Sequence, residues 1–110
     1  AYRIAGADLF INCAAWGLKK PVPWECMTRC RAVENQTFMV ALTQSGYIEN
    51  GEWNIGHSRI IDYKGETLSE ITDQKEGAMS AVLDFTPMYE FREKCTCLND
   101  IRKNYEVKSV

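Results

Sequence analysis

The side chains of this sequence that can do nucleophilic chemistry are few and scattered. They are one histidine, His57, and five cysteines, Cys13, Cys26, Cys30, Cys95 and Cys97. Cys13 follows the apolar run ADLFIN, where a nucleophile on a turn at the end of a strand would stand. With His57 as its general base it would make a free-standing thiol enzyme, which is one hypothesis to test.

The spacing of the cysteines does not favour a metal site. Cys26 and Cys30 lie one helical turn apart, and Cys95 and Cys97 form C-x-C rather than the C-x-x-C spacing of zinc sites. The odd number of cysteines fits no disulfide framework, so we predict reduced, unbridged thiols in a cytoplasmic protein.

The composition indicates an ordinary folded domain. Hydrophobic residues make up 45% and charged residues 25% of the 110 residues, close to globular averages, so disorder is not expected. The net charge is -2 and the basic residues are dispersed, which argues against nucleic-acid binding and membrane-surface binding. We find no apolar run of bilayer length and no signal peptide in residues 1–16.

The elements that would position these residues are strand, helix, strand, hairpin, strand, helix and tail, an order typical of a mixed α/β or α+β sheet. Residues 1–5 resemble the tail of a helix, and residues 7–12 are predicted to be a strand covered on both faces. A first helix is predicted over residues 23–35, with Pro23 at its first position. Four residues are predicted to form its core-facing stripe: Cys26, Met27, Cys30 and Val33.

The second half of the chain carries strand and loop signals. Residues 37–43 predict a buried strand, and residues 44–56 a long loop of the kind that forms functional rims. Residues 57–71 predict a hairpin that turns at 63–66, and residues 78–85 predict another strand.

A second helix is predicted to begin at Thr86 and Pro87, a cap residue and a first helical residue. Its apolar stripe would contain Met88, Phe91 and Cys95. Residues 99–110 are predicted to be a polar C-terminal tail. The possible anchors of this tail are Ile101, Tyr105 and Val107.

Four stretches of the chain together resemble one known family. They are GADLFINCAAW, WECMTRCRAVENQTFMVALTQSG, GHSRIIDYKGETLSE and EGAMSAVLDF. The most specific pair is R-x-R-A-x-E-N-Q followed by G-H-S-x-I-I-D-x-x-G. Over residues 2–105 the chain resembles the C-terminal portion of a nitrilase-superfamily protein, that is, a carbon–nitrogen hydrolase. The resemblance implies that residues 1–110 are the C-terminal portion of one such domain, part of a four-layer α-β-β-α sandwich.

The resemblance also implies an activity. Members of the family cleave non-peptide C–N bonds of amides or nitriles with a cysteine nucleophile, a glutamate base and a lysine. All three residues are expected to lie outside this chain, because none of its cysteines stands in the family's Cys-aromatic-Asp context. We therefore expect part of an amidase-like hydrolase of small amides, without metal or organic cofactor, and inactive as this chain alone. The alternative is a non-catalytic half-domain that acts as an interaction or dimerisation module.

The expected substrate pocket lies at the C-terminal end of the first strand, where ligands of open α/β sheets gather and where the resemblance also implies it. Six residues are predicted to line it: Asn12, Cys13, Ala14, Trp16, Trp24 and His57. Ordinary packing stays open for the two tryptophans and Cys13, and a structural hydrogen bond stays open for the histidine. Glu25 is either part of the pocket rim or a helix N-terminal carboxylate favoured by the macrodipole.

Three polar residues, Glu34, Asn35 and Gln36, close the first helix directly before a buried strand. Asn35 and Gln36 can bond the last free carbonyls of the helix. The resemblance implies that the helix with Arg31, Glu34 and Asn35 meets the same helix of a second subunit in a homodimer or larger homo-oligomer. The other expected partners are the N-terminal half of the enzyme and a small amide substrate.

Overall fold

A computed structural model describes residues 1–101. Within that range the elements are β1 Leu9–Ala14, α1 Pro21–Asn35, β2 Phe38–Thr43, β3 Arg59–Ile61, β4 Thr67–Glu70, α2 Phe85–Lys94 and a short 3-10 helix, Thr96–Asp100. The predicted mixed α/β class is confirmed. The predicted anchors Tyr105 and Val107 lie outside the described residues.

The four strands form one open sheet in the order β1-β2-β3-β4. β1 and β2 are parallel and joined through α1, whereas β2, β3 and β4 pair antiparallel. The predicted hairpin is confirmed, since the Asp62 carboxylate accepts hydrogen bonds from the backbone N–H groups of Lys64 and Glu66. Gly65 occupies the left-handed position of this turn, with φ of +92°.

The sheet buries its two faces to different extents. On one face, Trp24 and Ala32 of α1 pack against Met39, Ala41 and Ile61 of the strands. On the other face, α2 covers only one end of the sheet. There Met88 packs with Phe38 and Tyr63.

Strand β1 differs from its prediction in position and in burial. It runs two residues later than expected, over Leu9–Ala14, and Ile11 is 64% exposed. The expectation that the run is covered on both faces is wrong for the described residues. β1 is an edge strand, and α2 does not extend over its central part.

Helix α1 begins at Pro21, two residues before the predicted start, and its buried face was mispredicted. The buried side chains are Trp24, Thr28 and Ala32, spaced by four residues. The predicted stripe of Cys26, Met27, Cys30 and Val33 is exposed. The physical reason is that Thr28 donates its hydroxyl to the Trp24 carbonyl oxygen at 2.8 Å, so this polar residue is buried without an unpaired donor.

Two further boundaries depart from expectation. Residues 78–84 contain no strand and pair with neither edge of the described sheet, and Val82 is 91% exposed. Helix α2 is capped by Asp84, whose carboxylate accepts the Thr86 N–H at 3.0 Å, and not by Thr86 itself. Its predicted stripe is confirmed at Met88, which is fully buried.

Residues 1–7 form one turn with the geometry of a helix end. The Gly6 N–H donates to the Arg3 carbonyl and the Ala7 N–H to the Tyr2 carbonyl, the pair of bonds found in Schellman motifs. Gly6 has φ of +98°, as this motif requires.

Replacing Gly65 by alanine tests the fit of the hairpin against α1. A Cβ at this position would lie 2.8 Å from Val33 Cγ2 and 3.3 Å from Arg29 Cγ. Val33 is β-branched and cannot readily change rotamer in a helix. We expect a loss of about 2–4 kcal/mol in the free energy of unfolding, from left-handed strain and overpacking together. The measurement is urea denaturation followed by tryptophan fluorescence.

Gly46→Ala is the matched control. Gly46 has φ of +85°, but a Cβ there would meet nothing within 4 Å. The Gly46→Ala variant should lower the free energy of unfolding only through left-handed strain, by about 1–2 kcal/mol. Equal losses in the two variants would show that the hairpin does not press on α1.

Candidate functional site

The candidate site lies at the carboxyl ends of the parallel pair β1 and β2, where two loops meet. Loop 15–20 follows β1 and loop 44–56 follows β2. Their backbones are joined, since Leu18 N–H donates to the Trp53 carbonyl at 2.7 Å and Ile55 N–H to the Trp16 carbonyl at 2.8 Å. The two loops therefore form one continuous rim.

Open grooves lie along this rim. One of about 310 Å³ runs between the loops, beside an exposed ion pair of Lys19 and Glu52 at 3.1 Å. Another of about 410 Å³ lies at the strand ends and is lined by Cys13, Ala14 and Thr43, among others. These grooves are the concave surfaces that a small substrate could enter at this end of the sheet.

Three of the predicted pocket residues come together beneath the rim. Trp24 is 1% exposed and donates its indole N–H to the His57 carbonyl oxygen at 2.7 Å. Its ring centre lies 5.5 Å from that of Trp16, whose own N–H donates to the Lys20 carbonyl at 2.6 Å. Trp16, Trp24 and His57 thus form a fixed cluster, here called the tryptophan wall, and none of the three lines the two grooves just described.

The His57 ring lies between two carboxylates. Its Nδ1 is 3.2 Å from Glu25 Oε1, and its Nε2 is 2.8 Å from Glu70 Oε2. The hydrogen bond with His57, followed by the charges of His57 and Arg59, lowers the pKa of Glu70 despite partial burial. Because both ring nitrogens already face acceptors, His57 is not free to act as a base for Cys13.

Arg59 lies under this pair and is 4% exposed. Burial, and then the charge of Arg29, lower the pKa of its guanidinium. Arg59 donates to Thr67 Oγ1 at 3.1 Å and lies 3.7 Å from Glu70. The interface between α1 and the hairpin is therefore partly polar and charged.

Asn12 and Cys13 do not join the tryptophan wall. Adjacent residues of a strand point to opposite faces of the sheet, so these two side chains diverge. Asn12 lines a groove together with Arg31, Glu34 and Asn35 of α1, whereas Cys13 is exposed in the groove at the strand ends. Ala14 packs against the core cluster that contains both tryptophans.

Two residues of the site were not predicted from the sequence. Glu70 pairs with Arg59 in the antiparallel register of the hairpin, and this register was a usable signal once the turn at 63–66 was assigned. Asn54 is 5% exposed, lines two grooves, and its side-chain oxygen has no partner among the described residues. Nothing in the sequence around Asn54 distinguishes it from the other polar residues of its loop.

The polar end of α1 is only partly as expected. Asn35 donates its side-chain N–H to the Arg31 carbonyl at 2.9 Å, as predicted, and Glu34 forms an ion pair with Arg31. Gln36 adopts the left-handed conformation with φ of 50°, and its backbone N–H, not its side chain, bonds the last carbonyls of α1. The Gln36 side chain instead donates to the Cys95 carbonyl oxygen at 2.9 Å, because α2 ends beside it.

Comparison with known proteins identifies the family. The family model of carbon-nitrogen hydrolases matches residues 1–93. The chain belongs to the carbon-nitrogen hydrolase family. It is 35% identical over 97 residues to the 2-oxoglutaramate amidase of Paenarthrobacter nicotinovorans, covering 88% of this chain and 32% of that protein. To the Bacillus subtilis protein of the same name it is 35% identical over 99 residues, covering 90% of this chain and 38% of that protein.

Solved structures of this family share the fold. A carbon-nitrogen hydrolase superfamily protein of Xanthomonas campestris matches with a TM-score of 0.83 at 25% identity, over 91% of this chain and 37% of that one. The C. elegans NitFhit protein matches with a TM-score of 0.77 at 27% identity, over 91% of this chain and 24% of that one. The predicted α-β-β-α sandwich class is thereby confirmed. The chain spans about a third of the curated relatives' length.

Within residues 1–101, no helix combines the length and apolar character needed to cross a membrane. The same residues contain no cluster of three or more His, Cys, Asp or Glu placed to hold a metal ion.

Protonation of Glu70 should weaken the fold at acid pH. Its folded-state pKa lies below the ordinary value of 4.5, so its contribution is present above that pH and is lost as the pH falls through the lowered pKa. Glu70→Gln should therefore cost up to about 1 kcal/mol at neutral pH, a small effect because the carboxylate is part-exposed. The difference from the parent chain should shrink progressively as the pH falls below 4.5, as measured by urea denaturation across pH.

Glu66→Gln, on the exposed turn of the same hairpin, is the control and should leave stability unchanged. A Glu70→Gln deficit that persists undiminished at pH 3 would contradict the ionic origin of the effect.

Proposed function

We propose that this chain is the C-terminal portion of a carbon-nitrogen hydrolase that cleaves small amides through a cysteine nucleophile. The observation that carries the proposal is that 88–90% of the chain matches two amidases while covering only a third of their length. By their names these relatives act on 2-oxoglutaramate, which suggests a substrate with an amide and a carboxylate. The proposed location is the cytoplasm.

The catalytic cysteine, glutamate and lysine are proposed to lie outside residues 1–110. Two observations of the site support this. His57 is held between Glu25 and Glu70, so no described histidine is available to activate Cys13. In addition, Cys13 is exposed, and no charged side chain lines the groove at the strand ends in which it lies. These contacts weigh against the hypothesis of a free-standing thiol enzyme.

The role proposed for this chain is to shape the substrate pocket. The tryptophan wall is rigid, since Trp24 is buried and both indole N–H groups are bonded to backbone carbonyls. Such a wall can hold an amide in place without supplying a reacting group, which is a positioning contribution to catalysis. Ala14 packs beside this wall, whereas Asn12 and Cys13 would border the pocket from opposite faces of the strand once the rest of the enzyme is present.

The partners proposed are the N-terminal half of the same enzyme and a second subunit. The face of the sheet beyond α2 exposes Ile11, which suits burial by the second sheet of the family sandwich. Met27 and Val33 of α1 are 49% and 45% exposed, although Val33 also lies against Gly65 of the hairpin. These apolar side chains support the proposed subunit contact through α1. They also suit the alternative, a non-catalytic interaction module.

Catalysis is tested in two preparations. The purified 110-residue chain should release no ammonia from 2-oxoglutaramate or other small amides. The native parent protein, isolated from its source and sized by denaturing mass spectrometry, should be longer and should hydrolyse at least one of them. In that parent protein, Cys13→Ala should retain activity within about tenfold, since loss of a nucleophile costs far more.

Two outcomes would contradict this assignment. Turnover by the 110-residue chain that disappears in Cys13→Ala would revive the thiol enzyme. A native product of only 110 residues without activity would instead favour the interaction module.

Association of the isolated chain is a separate expectation. A patch of about 500 Å² of exposed apolar surface would favour burial by roughly 10 kcal/mol before entropy costs, comparable to the whole stability of a domain. We therefore expect self-association at micromolar concentration in sedimentation velocity. Ile11→Lys should reduce this association if the open sheet face is responsible. A single monomeric species with a cooperative thermal transition would show that the chain is self-sufficient.

A further inference from the structure

The two cysteines after α2 lie closer together than their spacing suggests. Cys95 Sγ and Cys97 Sγ are 3.8 Å apart, within the range of a thiol hydrogen bond. Cys95 forms the C-cap of α2, where the chain changes from α-helix to a 3-10 helix, and this change brings the two side chains to one side. Cys97 is exposed and Cys95 is half-buried, so a small reagent can reach the pair.

This pair contacts the end of the other helix. The Gln36 side chain donates to the Cys95 carbonyl oxygen at 2.9 Å and lies 3.4 Å from Cys97 Sγ. Gln36 is 3% exposed, and its own carbonyl accepts hydrogen bonds from Arg92 of α2 at 2.9 and 2.6 Å. The two thiols therefore sit on a fixed support and not on a loose tail.

We propose that Cys95 and Cys97 form a redox-sensitive dithiol that closes to an intrachain disulfide when a small-molecule disulfide is in excess. The first thiolate attacks one sulfur of the reagent, forming a mixed disulfide and expelling one thiolate of the reagent. The neighbouring cysteine thiolate then attacks the protein sulfur and expels the second. One S–S bond is broken and one formed, the two cysteines are oxidised, and the reagent is reduced to two thiols.

The position of the pair makes the second step fast and the product labile. The attacking sulfur already lies 3.8 Å from its target, and closure requires an S–S distance of about 2.05 Å. A disulfide between two cysteines separated by one residue departs from the preferred disulfide geometry. Strained disulfides are more easily reduced. The dithiol thus stays reduced in an ordinary cytosol and responds only to strong oxidation.

Ionisation sets the pH dependence of the reaction. The hydrogen bond with Cys95, then burial and the charge of the neighbouring thiolate, raise the pKa of Cys97 above its ordinary value of 9.0. Since the thiolate is the nucleophile, closure should accelerate steadily from pH 7 to pH 9.

The test treats the full 110-residue chain with oxidised glutathione, followed by alkylation and trypsin without reductant. Lys94 and Arg102 place both cysteines on one tryptic peptide, residues 95–102. We expect this peptide to become lighter by two hydrogen atoms and to resist alkylation, and dithiothreitol should restore both thiols. In the Cys97→Ser variant the reaction should stop at the glutathione adduct on Cys95. Such an adduct would show that Cys95 still reacts and that closure fails because the second thiol is missing, not because the fold is lost.

Cys26 and Cys30 are the matched control pair. They lie one turn apart and exposed on α1, and they should be alkylated or carry separate glutathione adducts without bridging. Peptide 95–102 carrying two glutathione adducts, or a bridge between two chains, would overturn the proposal. Recovery of peptide 95–102 without the bridge, at pH 9 and in excess oxidised glutathione, would also overturn it.

Discussion

The packing of α1 against the sheet depends on one buried side chain, Trp24. Its burial stabilises the fold by about 5 kcal/mol at most before entropy costs, and its indole N–H would be unpaired without the His57 carbonyl. That single hydrogen bond joins α1 to His57, two residues before the start of β3, across 33 positions of sequence. It fixes the His57 backbone, and the His57 ring then lies between carboxylates of α1 and β4. The arrangement of the tryptophan wall is thus a consequence of how the helix is held.

The two faces of the sheet have different physical requirements. The face under α1 is closed within this chain by the core of Trp24, Met39 and Ile61. Within residues 1–101 the opposite face is covered where α2 lies, and Ile11 on β1 is left exposed. An apolar edge strand with an uncovered face is an unfavourable arrangement for a lone domain, because such edges pair with other chains. It is the arrangement expected of one sheet from a two-sheet sandwich, which agrees with the fold of the family.

Local signals in the sequence predicted most of the helices, strands and turns, but they did not predict which faces of these elements are buried or what they pack against. The strand run FMVALT and the turn around Gly65 predicted the structure correctly, and the polar end of α1 did so in part, because turn and cap chemistry act over a few residues. The buried face of α1 was mispredicted, because Thr28 hides its hydroxyl within the helix and so takes an apolar position. Residues 78–84 have the composition of a strand, but strand formation requires a neighbour, which no local pattern specifies. The six predicted pocket residues do not all lie together, since Asn12 and Cys13 point to opposite faces of the strand.

The polar termini of the two helices explain why a carboxylate and two amides precede a buried strand. Glu34 and Asn35 complete the outer surface of α1, while Gln36 turns the chain through a left-handed conformation into β2. Its carbonyl is then presented to Arg92, which also forms an ion pair with Asp8 next to β1. Arg92 and Tyr89 together outweigh the cost of burial and lower the pKa of Asp8, so the carboxylate is held ionised. One arginine of α2 thereby connects the end of α1 with the start of β1, and α2 is fixed at the end of the sheet by charge as well as by Met88. Within residues 1–101 this polar anchor leaves the rest of that face uncovered.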